Sequence, residues 1–296
     1  MKIRSAAPCS VWVRGGRHGS GPRCTNSSCK CVARSSGYWP LARNNSCAAG
    51  SLGAYNHVVP TRGDAEARSI IFFEQCVAER LVSMQFYDFR LAPSPTKVRI
   101  FLAEKNLEIP TVIVNLRKFE QQSAEFLAKV PSATLPALEL DDGTVLVESH
   151  AICRYFEELH PEPNLMGEGA KEQALVLMWH DMATLEGYLG IQEVYRNGQE
   201  YFKGRALAGP QGYEQIEALV DRGRKRVEVF FDKLDRRLGE SPYVALDRFT
   251  YADIAAYVYQ GFAKRAVGTD PAGGRDNLTR WSEMIAARPA VNTATS

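Results

Sequence analysis

The pattern of hydrophobic and polar positions divides the chain into three parts. Residues 1–83 show no sustained period of 2 or 3.6 residues, which predicts a disordered leader. Over 84–160, short apolar runs alternate with helical spacing and predict an α/β domain. Over 170–296 only helical periodicity appears, which predicts an all-α domain. The prolines and glycines between the two are typical of an interdomain linker.

The α/β part is predicted to run strand, helix, strand, helix, strand, strand, helix. The elements before its last two strands are predicted over 85–87, 95–105, 111–114 and 123–129. The helices of the all-α part are predicted over 170–195, 213–238, 250–265 and 278–288. One of these helices starts with a predicted capping box formed by Thr250 and Asp253, with Phe249 and Ile254 as a hydrophobic staple.

A hairpin followed by a helix is the clearest local signal. Apolar positions over 135–140 and 144–147 predict two strands, and Asp142-Gly143 supplies the turn. Ser149 lies where an N-cap is expected, because apolar residues follow it at helical spacing. Its hydroxyl and the free amides behind it predict a pocket for a carboxylate.

Two neighbouring residues add to this pocket. Glu148 can hold an ammonium group beside the carboxylate that Ser149 would bind. Pro136 predicts an edge, a bulge or a cis bond that exposes unpaired backbone groups, to which an extended peptide could add as a strand. Glutathione carries a carboxylate and an ammonium side by side on its γ-glutamyl end, so we predict half of a glutathione-binding site here. The simpler alternative is that Ser149 only caps the helix and Glu148 is a solvated charge.

The hairpin segment resembles the glutathione S-transferase family of the cytosolic, bacterial type. In that family a thioredoxin-like domain has a cis-proline, a hairpin and a Glu-Ser pair in this order. The box at Thr250 and Asp253, the later Trp281 and the segment 288–291 are similar as well, so the resemblance covers residues 84–291. It implies a thioredoxin-like glutathione-binding domain over 84–160 and an all-helical domain over 170–296.

Charge and cysteine content set the leader apart from the rest of the chain. Residues 1–83 hold 11 of the 36 Lys and Arg but 4 of the 34 Asp and Glu, and six of the seven cysteines. The cysteine spacing fits no standard zinc pattern, so no metal is expected. We interpret the leader as a start codon assigned too far upstream of Met84, with an organelle transit peptide as the alternative. Without that import the expected location is the cytoplasm.

The body of the chain, by contrast, is mildly acidic. Residues 84–296 hold 25 basic and 30 acidic side chains, so nucleic-acid binding is not expected. No apolar run approaches the roughly 18 residues of a membrane span, so no membrane association is expected either. Cys153, the one cysteine of the body, is predicted to lie in the core.

Ser94 is the first candidate for activating a thiol. It is predicted to cap a helix that has Pro95 at its first position, so that its hydroxyl and the first-turn amides face a bound sulfur. The resemblance puts Ala92 at the position where related enzymes keep a serine or cysteine, and it makes Tyr87 a second candidate. Ser94 could equally be a plain cap and Tyr87 a strand residue. A third possibility is that the backbone of residues 93–95 acts with no side chain.

The resemblance also implies further glutathione contacts. Leu135, ahead of the predicted cis Pro136, should present its backbone to the cysteinyl part, and Thr134 should line the same edge. Gln122 or Lys129 should reach the glycine carboxylate, unless both are only solvated. Aromatic and Met side chains of the 170–195 helix are candidates for the electrophile pocket or for the core. They are Trp179, Met182, Tyr188 and Tyr195.

Together these inferences predict a glutathione S-transferase that adds the glutathione thiolate to a small hydrophobic electrophile. The resemblance implies a homodimer with glutathione as co-substrate and no metal. One alternative is a noncatalytic module of the same fold, which Ala92 favours. Another is glutathione-dependent reduction or isomerisation.

Overall fold

The structure is a computed structural model that describes residues 83–268 and 270–295. The predictions about residues 1–82, including the disorder of the leader, its cysteines and its start codon, lie outside the described residues.

The first part of the fold is a four-stranded mixed sheet with helices on both faces. Its elements are β1 (Gln85–Asp88), α1 (Pro93–Glu104), β2 (Thr111–Ile113), α2 (Ala124–Lys129), β3 (Ala137–Glu139), β4 (Val145–Val147) and α3 (Ser149–Leu159). The strands lie in the order β2-β1-β3-β4, with β1 parallel to β2 and the other neighbours antiparallel. The predicted thioredoxin-like order is confirmed.

The second part contains only helices, as predicted. They are α4 (Gly169–Met182), α5 (Leu189–Gly198), α6 (Ala218–Glu240), α7 (Tyr251–Val267), α8 (Asp276–Ala286) and α9 (Pro289–Thr295). A π-helical turn, Ala183–Tyr188, joins α4 to α5 and makes one long helix of them. The helix predicted from residue 213 begins instead at Ala218, because the 199–217 segment is irregular and is tied by a bridge between Arg205 and Tyr213.

Side chains of the sheet alternate between two apolar clusters. Phe86 and Leu138 lie on the face that packs against α1 and α3, and this core continues into the helical part. Tyr87 and Ala137 lie on the other face, in a smaller cluster with Phe126 of α2. Cys153 is fully buried in the larger core, as predicted, and burial raises the pKa of its thiol.

The capping box of α7 is present and does more than start the helix. The Asp253 carboxylate accepts hydrogen bonds from the Thr250 N–H (2.9 Å) and hydroxyl (3.0 Å). It also accepts from the Val244 N–H at 2.9 Å and from Trp281 Nε1 at 3.0 Å. Burial raises the pKa of Asp253 to about 6, which leaves the carboxylate ionised at neutral pH. A single buried charge therefore joins α7 to α8 and to the loop before α7.

Helices α5 and α6 approach each other at a pair of glycines. A methyl group added at Gly223 would lie 2.6 Å from the carbonyl oxygen of Gly190. Side chains do not fit into so short a separation, so the two backbones are in direct contact and the face of α5 that carries Gly190 is fixed against α6.

Candidate active site

Three strand ends meet at one edge of the sheet. Tyr87 of β1 lies opposite Ala137 of β3, which lies opposite Val147 of β4. The carboxyl end of β1, the amino end of β3 and the carboxyl end of β4 are therefore neighbours. The segments that leave this edge carry the candidate residues: the loop into α1, the Leu135-Pro136 pair and Glu148.

The peptide groups of Leu135 are open at this edge. Within the described residues its main-chain N–H and C=O make no hydrogen bond, and the Leu135-Pro136 peptide is cis. At the opposite end of β3, the hairpin turn forms as predicted, with Gly143 at φ 82° and its N–H bonded to the Leu140 carbonyl at 3.0 Å. An extended peptide can therefore bond to Leu135 as an additional strand.

Glu148, not Ser149, occupies the N-cap position of α3. Its carbonyl accepts the Ile152 N–H at 3.1 Å, and Ser149 is the first helical residue. The predicted cap is therefore wrong by one position. Glu148 has φ 71°, which costs a residue with a side chain roughly 1–3 kcal/mol, and its side chain is exposed. Strain of this size at an exposed carboxylate is typical of functional positions.

Ser149 is buried, with 4% of its surface exposed. What it offers a ligand is therefore chiefly its N–H, one of the first-turn donors that have no partner within a helix. These amides attract a carboxylate and the exposed Glu148 attracts an ammonium group, so the start of α3 can hold both.

The start of α1 also differs from its prediction by two residues. The helix begins at Pro93, with Ala92 as N-cap, so Ser94 is the second helical residue and not the cap. Prolines have no N–H, so Pro93 and Pro95 cannot donate, and the backbone of residues 93–95 offers one donor, the Ser94 N–H. Ser94 therefore supplies both a hydroxyl and the N–H, whereas Ala92 supplies no side-chain donor.

A row of hydroxyl groups surrounds Ser94. Its side chain lies close enough to Tyr188 to oppose the rise in the pKa of that hydroxyl, which accepts a hydrogen bond from Gln192 Nε2 at 2.5 Å. Burial, and secondarily Tyr259, raises the pKa of Tyr188 to about 12, so this hydroxyl stays neutral. Tyr188 stacks on Tyr259 at 4.7 Å, and the buried Lys97 donates to the Tyr259 hydroxyl at 2.6 Å. The surroundings of Ser94 are thus rich in hydrogen-bond donors and carry a positive charge.

The Tyr87 hydroxyl and the Lys129 ammonium group are directed away from this site. The Tyr87 hydroxyl donates to Glu139 at 2.6 Å and to Gln85 at 3.1 Å, and Lys129 donates to the same Glu139 oxygen at 2.7 Å. Gln85 and Glu139 pair at the end of the sheet opposite to Ser94. The structure does not bring Tyr87 to a thiol near α1 or Lys129 to the Leu135 edge, because both are held by the Glu139 carboxylate.

The structure also places the remaining residues that were predicted to contact glutathione or the electrophile. Thr134 lies next to Leu135, with its hydroxyl 2.7 Å from that of Ser132. Gln122 is exposed on the short turn Glu120–Gln122. Trp179 and Tyr195 pack against the helical core, and Met182 is the last residue of α4. Of the electrophile-pocket candidates, Tyr188 is the one that contacts Ser94, a pairing that the spacing of residues along the chain could not indicate.

Within the described residues, no three His, Cys, Asp or Glu side chains are grouped so as to hold a metal ion. No helix in that part of the chain is both long and apolar enough to cross a membrane.

Comparisons with known proteins agree with this geometry. The family profile described as glutathione S-transferase, N-terminal domain, matches residues 93–159, and the C-terminal domain profile of the same family matches residues 182–289. The chain is 35% identical over 213 residues to glutathione S-transferase 2 of Saccharomyces cerevisiae, an alignment that covers 70% of this chain and 88% of the yeast protein.

Solved structures are similar over the same region. A glutathione S-transferase domain-containing protein of Marinobacter aquaeolei VT8 is 31% identical with a TM-score of 0.65, covering 70% of this chain and 99% of the other. Gtt2 from Saccharomyces cerevisiae is 33% identical with a TM-score of 0.65, covering 71% and 99%. The chain therefore belongs to the glutathione S-transferase family.

Proposed function

We propose that the protein is an enzyme that binds glutathione and adds its thiolate to an electrophile. The observation that carries the proposal is the meeting of three features at one sheet edge: the open peptide of Leu135, the exposed Glu148 and the Ser94 end of α1. Each of them suits a different part of glutathione.

Binding is divided among these features. The amides at the start of α3, including that of Ser149, hold the γ-glutamyl carboxylate, and Glu148 holds the ammonium group. Leu135 pairs with the cysteinyl part as an added strand. Thr134 and Gln122 flank this strand on the side of the glycine. Tyr87 and Lys129 are left out of the proposed site, since both side chains donate hydrogen bonds to the carboxylate of Glu139.

Activation of the thiol falls to Ser94. A free thiol has a pKa of about 8.5, and lowering that value by two units favours the thiolate by roughly 2.7 kcal/mol. A hydroxyl and an N–H from Ser94 are two donors aimed at one sulfur, and the positive charge of Lys97 lies behind them. Donors fixed in advance stabilise the charge without reorganising when it forms.

The partner of the chain is a second copy of itself. Exposed apolar side chains lie along the π-helical turn, α5 and α6, which supports a self-association surface. They include Leu185 (58% exposed), Leu189 (42%) and Val229 (61%). Charged side chains border them, among them Arg222 and Arg226, which both pair with Glu193 of the same chain at 2.6 and 2.5 Å.

A noncatalytic glutathione-binding module is the second candidate function. Ala92 favours it, because the N-cap of α1 has no side-chain donor. The two candidates differ in one measurable property: an enzyme lowers the thiol pKa of bound glutathione and turns over electrophiles, whereas a binding module does neither.

Thiolate absorbance of the glutathione complex, titrated against pH, tests the proposal. We expect wild type to have a thiol pKa well below 8.5. Ser94→Ala should raise this pKa and lower turnover, with little change in glutathione affinity, because the hydrogen bond strengthens when the sulfur is charged.

Tyr87→Phe is the control and should titrate like wild type, since the Tyr87 hydroxyl is bound to Glu139. A shift in Tyr87→Phe alone would transfer the role to that residue. Wild type with an unshifted thiol pKa and no turnover of any electrophile would establish the binding module instead.

A further inference from the structure

Two arginines, Arg196 and Arg205, have no carboxylate to pair with among the described residues. Arg196 of α5 donates to the Arg205 carbonyl at 3.0 Å and stacks on Phe202 at 4.7 Å. The Arg205 guanidinium lies over the rings of Phe119 (4.5 Å) and Tyr201 (4.8 Å) and donates to the Tyr201 carbonyl. Neither arginine forms an ion pair with any described residue. Both guanidinium groups therefore keep donors that protein carboxylates do not use.

Keeping these charges unpaired costs the folded protein free energy. Burial lowers the pKa of Arg196, and the nearby charge of Arg205 lowers it further, while tyrosines act in the opposite direction. A buried guanidinium is normally matched by a carboxylate, as Arg99 is by Asp88 at 2.6 Å. At Arg196 the match is missing, so a negatively charged ligand would relieve the cost.

The position of Arg196 relates it to the thiol. Tyr188, Gln192 and Arg196 follow one another at intervals of four residues, which places them along one face of the long helix. Each interval advances about 6 Å along the axis, so Arg196 lies about 12 Å beyond the Tyr188 that contacts Ser94. Between them, Gln192 donates through Nε2 to the Tyr188 hydroxyl, so its Oε1, an acceptor without a partner in the described part of the chain, takes no part in holding an anion.

We propose that Arg196 and Arg205 form a subsite for a carboxylate on the electrophile. The subsite rests on the proposed function, because it lies along the helix face that carries the Tyr188 beside Ser94. Guanidinium groups are planar and bind carboxylates through two parallel hydrogen bonds, which suits them to this ligand. Glutathione itself is expected along Leu135, in the other domain, so the helix face that carries Tyr188 and Arg196 is left for the second substrate. Electrophiles that carry an anionic group are then preferred to purely hydrophobic ones.

Binding of two glutathione conjugates by isothermal titration tests the subsite. S-(4-carboxybenzyl)glutathione and S-(4-carbamoylbenzyl)glutathione have the same shape and differ by one charge. Wild type should bind the carboxylate conjugate about tenfold more tightly, the ratio expected for one charged hydrogen-bonded contact. Arg196→Gln should reduce this preference to about twofold or less, and Arg196→Lys should retain part of it because the charge remains.

Two further variants control for folding and for total charge. Arg205→Gln changes the second arginine of the subsite and should also reduce the preference. Arg224→Gln removes one exposed positive charge from α6 and should leave it unchanged. The affinity for glutathione alone should be the same in all of these variants.

Three results are decisive against the subsite or its ligand. Equal binding of both conjugates by wild type would disprove the subsite while leaving the proposed function intact. If Arg196→Gln weakens glutathione but not γ-glutamylcysteine, the arginines bind the glycine carboxylate and not the electrophile. If wild type binds neither conjugate nor glutathione, the proposed function itself fails.

Discussion

Among single residues, Glu148 combines an exposed carboxylate with a strained backbone. Glu148→Gln keeps the backbone conformation and the shape of the side chain but removes the charge. We expect glutathione to bind more weakly by roughly 1–3 kcal/mol, because the γ-glutamyl ammonium loses its ionic partner. Isothermal titration measures this loss.

A glutathione analogue without the ammonium group separates this role from a general one. It should bind wild type and Glu148→Gln equally. If the variant still prefers glutathione to the analogue, another group holds the ammonium. Glu158→Gln is the matched control on the same helix, since Glu158 is exposed and pairs with Arg154.

At the scale of residues, the sequence indicates local pairs better than distant ones. Glu148, Ser149 and the turn at Gly143 follow from their neighbours in the chain, although the helix caps are displaced by one or two positions. The contact between Ser94 and Tyr188 joins segments 94 residues apart and depends on which face of a helix turns inward. That orientation is set by packing, and the apolar positions of α4 do not define one clear face.

Among the elements, α7 depends on its capping box for more than its own start. Thr250→Ala should lower the free energy of unfolding by about 0.5–2 kcal/mol through loss of the cap. Asp253→Ala should cost more, about 3 kcal/mol or above, because it also leaves the Val244 N–H and the Trp281 indole N–H without an acceptor. Urea unfolding measures both, and glutathione affinity should stay unchanged.

Equal losses in the two variants would contradict the added role of Asp253, and wild-type midpoints in both would contradict the cap itself. The sequence predicts this box because its four positions are adjacent in the chain. It does not predict the bond to Trp281, which lies 28 residues further on, nor the π-helical turn, which produces no distinctive residue pattern.

For the whole molecule, the exposed apolar surface on the outer side of the long helices predicts the assembly state. Leu185→Glu places a charge within it, so we expect the homodimer to dissociate into monomers, because burying an unpaired carboxylate is costly. Sedimentation velocity measures the change. Leu207→Glu is the control, since Leu207 is similarly exposed at 56% but lies in the 199–217 segment.

A dimer that persists in Leu185→Glu would place the interface elsewhere. If wild type sediments as a monomer, the proposed homodimer is wrong. The order of elements, and with it the general architecture, could be predicted from periodicity and from the hairpin. The course of the 199–217 segment could not, because its apolar and polar positions have no regular period.

The open peptide of Leu135 has a consequence for how such a site changes over time. Its N–H and C=O would be supplied by any residue other than proline, so the identity of the side chain carries little of the binding information. What has to be retained at this position is the path of the main chain. Ala133, in the same loop, has φ 51°, a backbone conformation that glycine adopts more readily, so the path of the chain is kept there without glycine. A binding site made of main-chain atoms can therefore persist while its sequence signature fades.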